Sequence, residues 1–142
     1  IRGGKRAKIS IGILLISTGI TDATVVEVIK PVIARLRPSH TMGDTINLLI
    51  GKGGKYGFVS AHAANIFCAT TILSYFYEQW KRPLVLLAIS VSISRVYVGV
   101  HYPGDIIFGG LYGYGIAWLF ITIWVLIKMR ELKRGRTWIQ YQ

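Results

Sequence analysis

The chain has one cysteine, four prolines and only six acidic residues among 142. A lone Cys68 excludes an intrachain disulfide framework, and its apolar surroundings make it a small packing residue. No Asp, Glu and His cluster has the spacing of a metal site, so neither a metal nor another cofactor is expected. There is no internal repeat and no low-complexity tract. The chain also lacks a continuous basic face with interleaved aromatics, which sets nucleic acid aside as a partner despite a formal net charge of +11. Apolar residues are what it has in quantity: 52% of the chain is hydrophobic and the mean hydropathy is +0.47.

Those residues gather in four runs, 9–29, 61–80, 84–100 and 105–127. Each is near the length that a hydrocarbon core of roughly 30 Å demands of a helix rising 1.5 Å per residue. The expected fold is all-α, a polytopic transmembrane helix bundle, with one domain over 1–142 and a basic cytoplasmic tail at 128–142. Ile1 is not Met, and the first run is too long for a signal-peptide core, so the chain reads as part of something longer.

The charges support this layout. Eleven of the 17 Lys and Arg flank the runs in three clusters: Arg2, Lys5, Arg6 and Lys8; Lys81 and Arg82; Lys128, Arg130, Lys133, Arg134 and Arg136. Such clusters mark cytoplasmic ends. Short connections make consecutive helices antiparallel, so the segments 30–60 and 96–105 share the outer face. The remaining cations, Lys30, Arg35, Arg37, Lys52, Lys55 and Arg95, all fall there, with His40, His62 and His101. A basic, histidine-containing face on an apolar bundle suits an anion attached to something the membrane holds.

Local signals refine the picture. Pro31 predicts a kink or helix end after Lys30, and 38–57 is a loop whose Gly51–Lys55 run is flexible turn chemistry. Ser60 opens the second run, where the free N–H groups of Ala61 and His62 would favour phosphate. Asp105 is suited to N-cap the last run. Gly109 and Gly113 permit close helix contact inside the bundle. Plainer roles cover the rest: Arg35 snorkels to the interface, His40 is a loop residue, and Asp22 and Glu27 balance bundle cations. Tyr97, Tyr102, Tyr112 and Tyr114 are belt or packing residues.

The stretch 94–105, S-R-V-Y-V-G-V-H-Y-P-G-D, is the densest in chemistry. Arg95 can grip phosphate with its planar fork, His101 can act as nucleophile, and Asp105 can hold the ring. By itself the stretch equally fits two interfacial anchors flanking a loop histidine.

Taken with Lys30, Arg37 and Pro38, and with Ser60 and His62, it resembles the type 2 phosphatidic acid phosphatase family, the lipid-phosphatase relatives of the vanadium haloperoxidases. That family's first motif is Lys, six residues, then Arg-Pro, matched by Lys30, Arg37 and Pro38. The second, Pro-Ser-Gly-His, is met by Ser60 and His62, with Val59 and Ala61 in place of Pro and Gly. The third, Ser-Arg, five residues, His, three residues, Asp, is met in full by Ser94, Arg95, His101 and Asp105.

The resemblance implies an integral-membrane phosphatase of a lipid phosphate or diphosphate, in a bacterial inner membrane with its site outward. His101 would be the nucleophile, Asp105 its orienter and His62 the proton carrier. Lys30, Arg37, Ser60, Ala61, Ser94 and Arg95 would hold the phosphate. Members usually have six spans, so two are expected before Ile1. A non-catalytic transporter or binder of anionic lipids, and a phosphatase of soluble esters, are the competing expectations.

Overall fold

The computed structural model describes residues 4–42, 48–51 and 53–136. Arg2, Lys52 and residues 137–142 of the basic tail lie outside the described residues. The chain forms α1 (Lys5–Ala23), which runs through a π-helical turn (Thr24–Ile29) into α2 (Lys30–Ile33). Next come α3 (Pro38–Thr41), α4 (Ala61–Phe76), α5 (Lys81–Tyr97) and α6 (Pro103–Lys133). Among the described residues there is no strand, only an isolated antiparallel bridge between Leu36 and Tyr56.

Helices thus stand at all four apolar runs, with shifted bounds. Two of them, Lys5–Ile33 and Pro103–Lys133, are long and apolar enough to cross a membrane. The 16-residue α4 and 17-residue α5 rise about 24 and 26 Å at 1.5 Å per residue, short of a core of roughly 30 Å. Tyr77 causes the shortfall in α4: at φ −135° and ψ 71° it leaves the helix before the expected end at Trp80. Pro103 begins α6 at its first helical position, where the missing N–H costs little.

The interior is built from small residues and the exterior from large apolar ones. On α1 the buried side chains are Ser10, Ser17 and Thr21, whose hydroxyls donate to backbone carbonyls three or four residues back. On its outward side Leu15 is 67% exposed, as is Leu111 of α6 at 62%. Outward leucines over a small, hydroxyl-bearing contact face suit a lipid surround better than water.

The tightest contact is between α4 and α6. A Cβ on Gly113 would collide with the Ala64 carbonyl, and one on Gly109 would stand 2.6 Å from the Ser60 carbonyl oxygen. The expected Gly-x-x-x-Gly contact therefore lies within the bundle. Cys68, Ile72 and Phe76 of α4 pack with Ala117, Ile121 and Trp124 of α6, while Ile9 and Ile13 of α1 close the cluster. The Arg6 guanidinium lies 4.8 Å over the Tyr77 ring, so the start of α1 and the end of α4 share one end of the bundle. The chemistry lies at the other.

Candidate active site

The π-helical turn governs where Lys30 faces. In an unbroken α-helix, Asp22 and Lys30, eight residues apart, would point about 80° away from each other. A π turn accommodates one extra residue, which brings them within about 20°. Asp22 indeed acts electrostatically on Lys30. The hydroxyl of Thr24 braces this turn, meeting the Ile20 carbonyl and the Tyr112 hydroxyl at 2.7 Å each.

Beyond Ile33 the rod stops at Ala34, held at φ 50°. For an alanine that conformation costs about 1–2 kcal/mol, and it redirects the chain toward the site. Pro38 then keeps Arg37 extended, at φ −72° and ψ 155°. In extended backbone, residues two apart share a side. With Leu36 bridged to Tyr56, Arg35 and Arg37 accordingly both reach the α5–α6 link. Gly57 must be small there, because its Cβ would stand 3.1 Å from Arg37 Cγ and 3.3 Å from Asp105 Oδ2.

The α5–α6 link carries His101, which is 3% exposed, and leads to the fully buried Asp105. His101 Nδ1 faces Asp105 Oδ2 at 3.4 Å, while Arg37 Nη1 approaches His101 Nε2 at 3.2 Å. Guanidinium has no acceptor, so it must donate to the Nε2 lone pair, which leaves the ring proton on Nδ1 facing the carboxylate. Burial pushes the imidazole below its ordinary pKa of 6.5, partly opposed by the hydrogen bond His101 donates to Asp105 and assisted by the Arg37 charge. The result is a neutral ring with a fixed tautomer and its basic nitrogen toward the cations.

Asp105 is not the N-cap expected from its position. Tyr102 is the cap, and Asp105, three residues on, accepts the Tyr102 N–H at 2.9 Å. Its other oxygen takes Arg35 Nη1 at 3.2 Å. Arg35 also lies 4.4 Å over the Tyr102 ring, and the Tyr102 hydroxyl meets Thr41 at 2.9 Å. The interfacial snorkelling read for Arg35 is thus replaced by a place beside the carboxylate. Tyr102 likewise does more than pack.

Both serines turn toward their own helices. Ser60 is wholly buried, and its Oγ accepts the Ala63 N–H at 3.4 Å as the N-cap of α4. Its N–H donates to the Asp105 carbonyl at 3.0 Å, tying the start of α4 to the first turn of α6. The N–H groups of Ala61 and His62 have no acceptor within the helix. Ser94 Oγ donates to the Val91 carbonyl at 2.7 Å and accepts Arg95 Nε at 3.3 Å.

The pieces converge electrostatically. Lys30 and Arg37 each act on both His62 and His101, and Arg95 acts on His62. Arg37 Nε is buried without a partner, a donor awaiting an acceptor. His40 stays apart, exposed on α3 with Nδ1 3.3 Å from Ser39 Oγ. Lys55, exposed, lies 5.7 Å from the Tyr56 ring centre.

The chain is similar to known proteins in sequence and fold. The chain is 38% identical over 101 residues to a lipid A 4'-phosphatase of Bacteroides thetaiotaomicron, covering 67% of this chain and 45% of that one. It is 38% identical over 114 residues to an undecaprenyl-diphosphatase of Sulfolobus acidocaldarius, covering 80% and 55%. The crystal structure of a transmembrane phosphatidylglycerolphosphate phosphatase from Bacillus subtilis superposes with a TM-score of 0.63 at 26% identity, over 78% of this chain and 56% of that one. The chain therefore spans about half the length of the curated relatives it matches. The model of the PAP2 superfamily matches residues 9–128. That match takes in every site residue from Lys30 to Asp105, and the chain belongs to the PAP2 superfamily.

Proposed function

We propose that this chain forms the catalytic bundle of an integral-membrane lipid phosphatase. All four long helices would span the membrane, the two shorter ones by local thinning and by snorkelling of their flanking cations. The basic ends would be cytoplasmic and the site would face outward from a bacterial inner membrane. The observation that carries the reading is the buried His101 ring, gripped at Nδ1 by Asp105 and capped at Nε2 by Arg37. A binder of anionic lipids needs the cations. It does not need a nucleophile with a fixed tautomer.

In the reaction, the phosphate monoester draws the Arg37 donors onto its oxygens and uncovers Nε2. The Nε2 lone pair forms the N–P bond as the ester P–O bond breaks. His62 gives its proton to the departing oxygen, which leaves as the lipid alcohol, or as a lipid phosphate when the substrate is a diphosphate. Asp105 balances the positive charge on the phosphorylated ring. Water then attacks phosphorus, His62 takes one of its protons, the N–P bond breaks, and inorganic phosphate departs.

Lys30, Arg37 and Arg95 meet the charge on the non-bridging oxygens, with the N–H groups of Ala61 and His62 at the start of α4. Ser60 and Ser94 serve by holding α4 and Arg95 in place. With three fixed cations the reaction needs no metal. The test is phosphate release from lipid phosphates by the full-length protein in detergent containing EDTA, together with acid-quench trapping of a phosphoryl group on His101. Loss of turnover in EDTA, or unchanged turnover in His101→Ala, would refute the mechanism.

A further inference from the structure

A recess of about 450 Å³ opens between α1, α4 and α5, lined among others by Thr18, Asp22, His62, Asn65 and Val91. Val91 lies four residues before Arg95, on the same face of α5. Asp22 shares the face of Lys30 through the π-helical turn. The recess therefore lies directly below the cations, on the side where His62 stands.

An in-line displacement sets the leaving oxygen opposite the nucleophile, away from Nε2 of His101 and next to His62. The alcohol attached to that oxygen must continue into the recess. The apolar groove between α5 and α6, lined by Phe67, Ile93 and Ile106 among others, includes no histidine.

The walls of the recess are mainly apolar, from Ala61, Ile66, Ala69 and Val91, but Thr18, Asp22 and Asn65 set a polar patch into them beside His62. Asn65 Nδ2 donates to Asp22 Oδ1 at 2.8 Å, and Asn65 Oδ1 is buried without a partner. A carboxylate within a helix long enough to cross a membrane is costly unless it has work to do. Here the exposed Asp22 carboxylate, held by the Asn65 amide, offers an acceptor to hydroxyl groups entering the recess.

We infer that this recess seats the leaving group and selects an alcohol bearing free hydroxyls beside the phosphoester, a sugar or a glycerol, over a plain polyprenyl chain. The inference rests on the phosphatase reading. Asp22 and Asn65 are specificity residues in it, apart from the groups that move protons or grip phosphate.

The test compares kcat/KM of the full-length protein on three lipids: one phosphorylated on a sugar, phosphatidylglycerol phosphate, and a polyprenyl phosphate. Wild type should favour a hydroxyl-bearing lipid at least about tenfold. Asn65→Leu should lower that ratio roughly 10- to 100-fold while polyprenyl turnover stays within about threefold, and Asp22→Ala, which also removes a charge acting on Lys30, should lower the ratio as well. Asp22→Asn, which keeps the shape, should fall between. The ratio is taken on one preparation, so it cancels any loss of folded protein. A ratio unmoved by the variants, or a wild-type preference for the polyprenyl lipid, overturns the recess assignment and leaves the phosphatase reading standing. Absence of phosphate release from all three lipids in wild type overturns both. Between the two hydroxyl-bearing lipids, the one whose turnover the variants depress more identifies the alcohol.

Discussion

Asp105→Asn separates the chemical role of the carboxylate from its structural one. Asparagine has the same shape, but only one oxygen. Placed where Oδ2 now sits, that oxygen keeps the Tyr102 N–H bond of 2.9 Å and still faces His101 Nδ1. The amide nitrogen then confronts Arg35, whose side chain is 43% exposed and free to swing into water. Asp105 itself is buried, so what is lost is one charge-assisted hydrogen bond, about 1.5–3 kcal/mol, with the Arg35 charge still solvated. The weaker interaction of an uncharged side chain with the helix N-terminus costs about 0.3–1 kcal/mol more. The fold should survive. The transition state fares worse, because in the proposed reaction positive charge grows on the ring as Nε2 bonds to phosphorus. At the observed 3.4 Å and an effective dielectric constant of about 20, a full charge pair is worth about 5 kcal/mol. A half-developed charge gives about 2.5 kcal/mol, or a loss of kcat near 70-fold at 1.36 kcal/mol per decade. Initial rates of phosphate release at saturating lipid measure the loss, and thermal unfolding in the same detergent measures the fold. Turnover within about threefold of wild type would refute the electrostatic role. An unfolded variant would show that the carboxylate is chiefly a structural tie.

Two further outcomes follow from the geometry. Burial lowers the pKa of His101, so the ring stays unprotonated to more acid pH than the ordinary 6.5, and the acid limb of kcat/KM should lie below 6.5. Asp105 raises that pKa, so Asp105→Asn should move the limb further toward acid; movement toward neutrality would contradict the assignment. The same shift makes the unfolded chain the better proton binder, so His101's contribution to stability is present above 6.5 and is lost as pH falls below it. At the α4–α6 contact, Gly113→Ala should destabilise the bundle by about 1–3 kcal/mol or more, because its Cβ would strike the Ala64 backbone. Gly115→Ala, with nothing within 4 Å of its Cβ, should leave the melting temperature unchanged or raise it.

How much of this was legible from the residues depended on the physics each expressed. Cations and histidines beside apolar runs are costly, so Lys30, Arg37, His62, Arg95, His101 and Asp105 stood out, and antiparallel helices brought them to one end. Gly109 and Gly113 were equally legible, because close approach leaves a mark in composition. Arg35 was not, since an arginine near a helix end has a ready alternative in the interface. Its role follows from two facts of backbone geometry, the left-handed Ala34 and the extended step before Pro38, that set it on the side of Arg37. The serines failed differently. A hydroxyl near clustered cations invites a ligand role, yet the same hydroxyl can satisfy its own helix, and here both do. Asp22 is the instructive case. Helical periodicity alone turns it away from Lys30, and only the π-helical turn at Thr24–Ile29 returns it to that face. The wide turn therefore does two things at once: it keeps the lysine on the side of the histidines and places a carboxylate on the same face, in the recess.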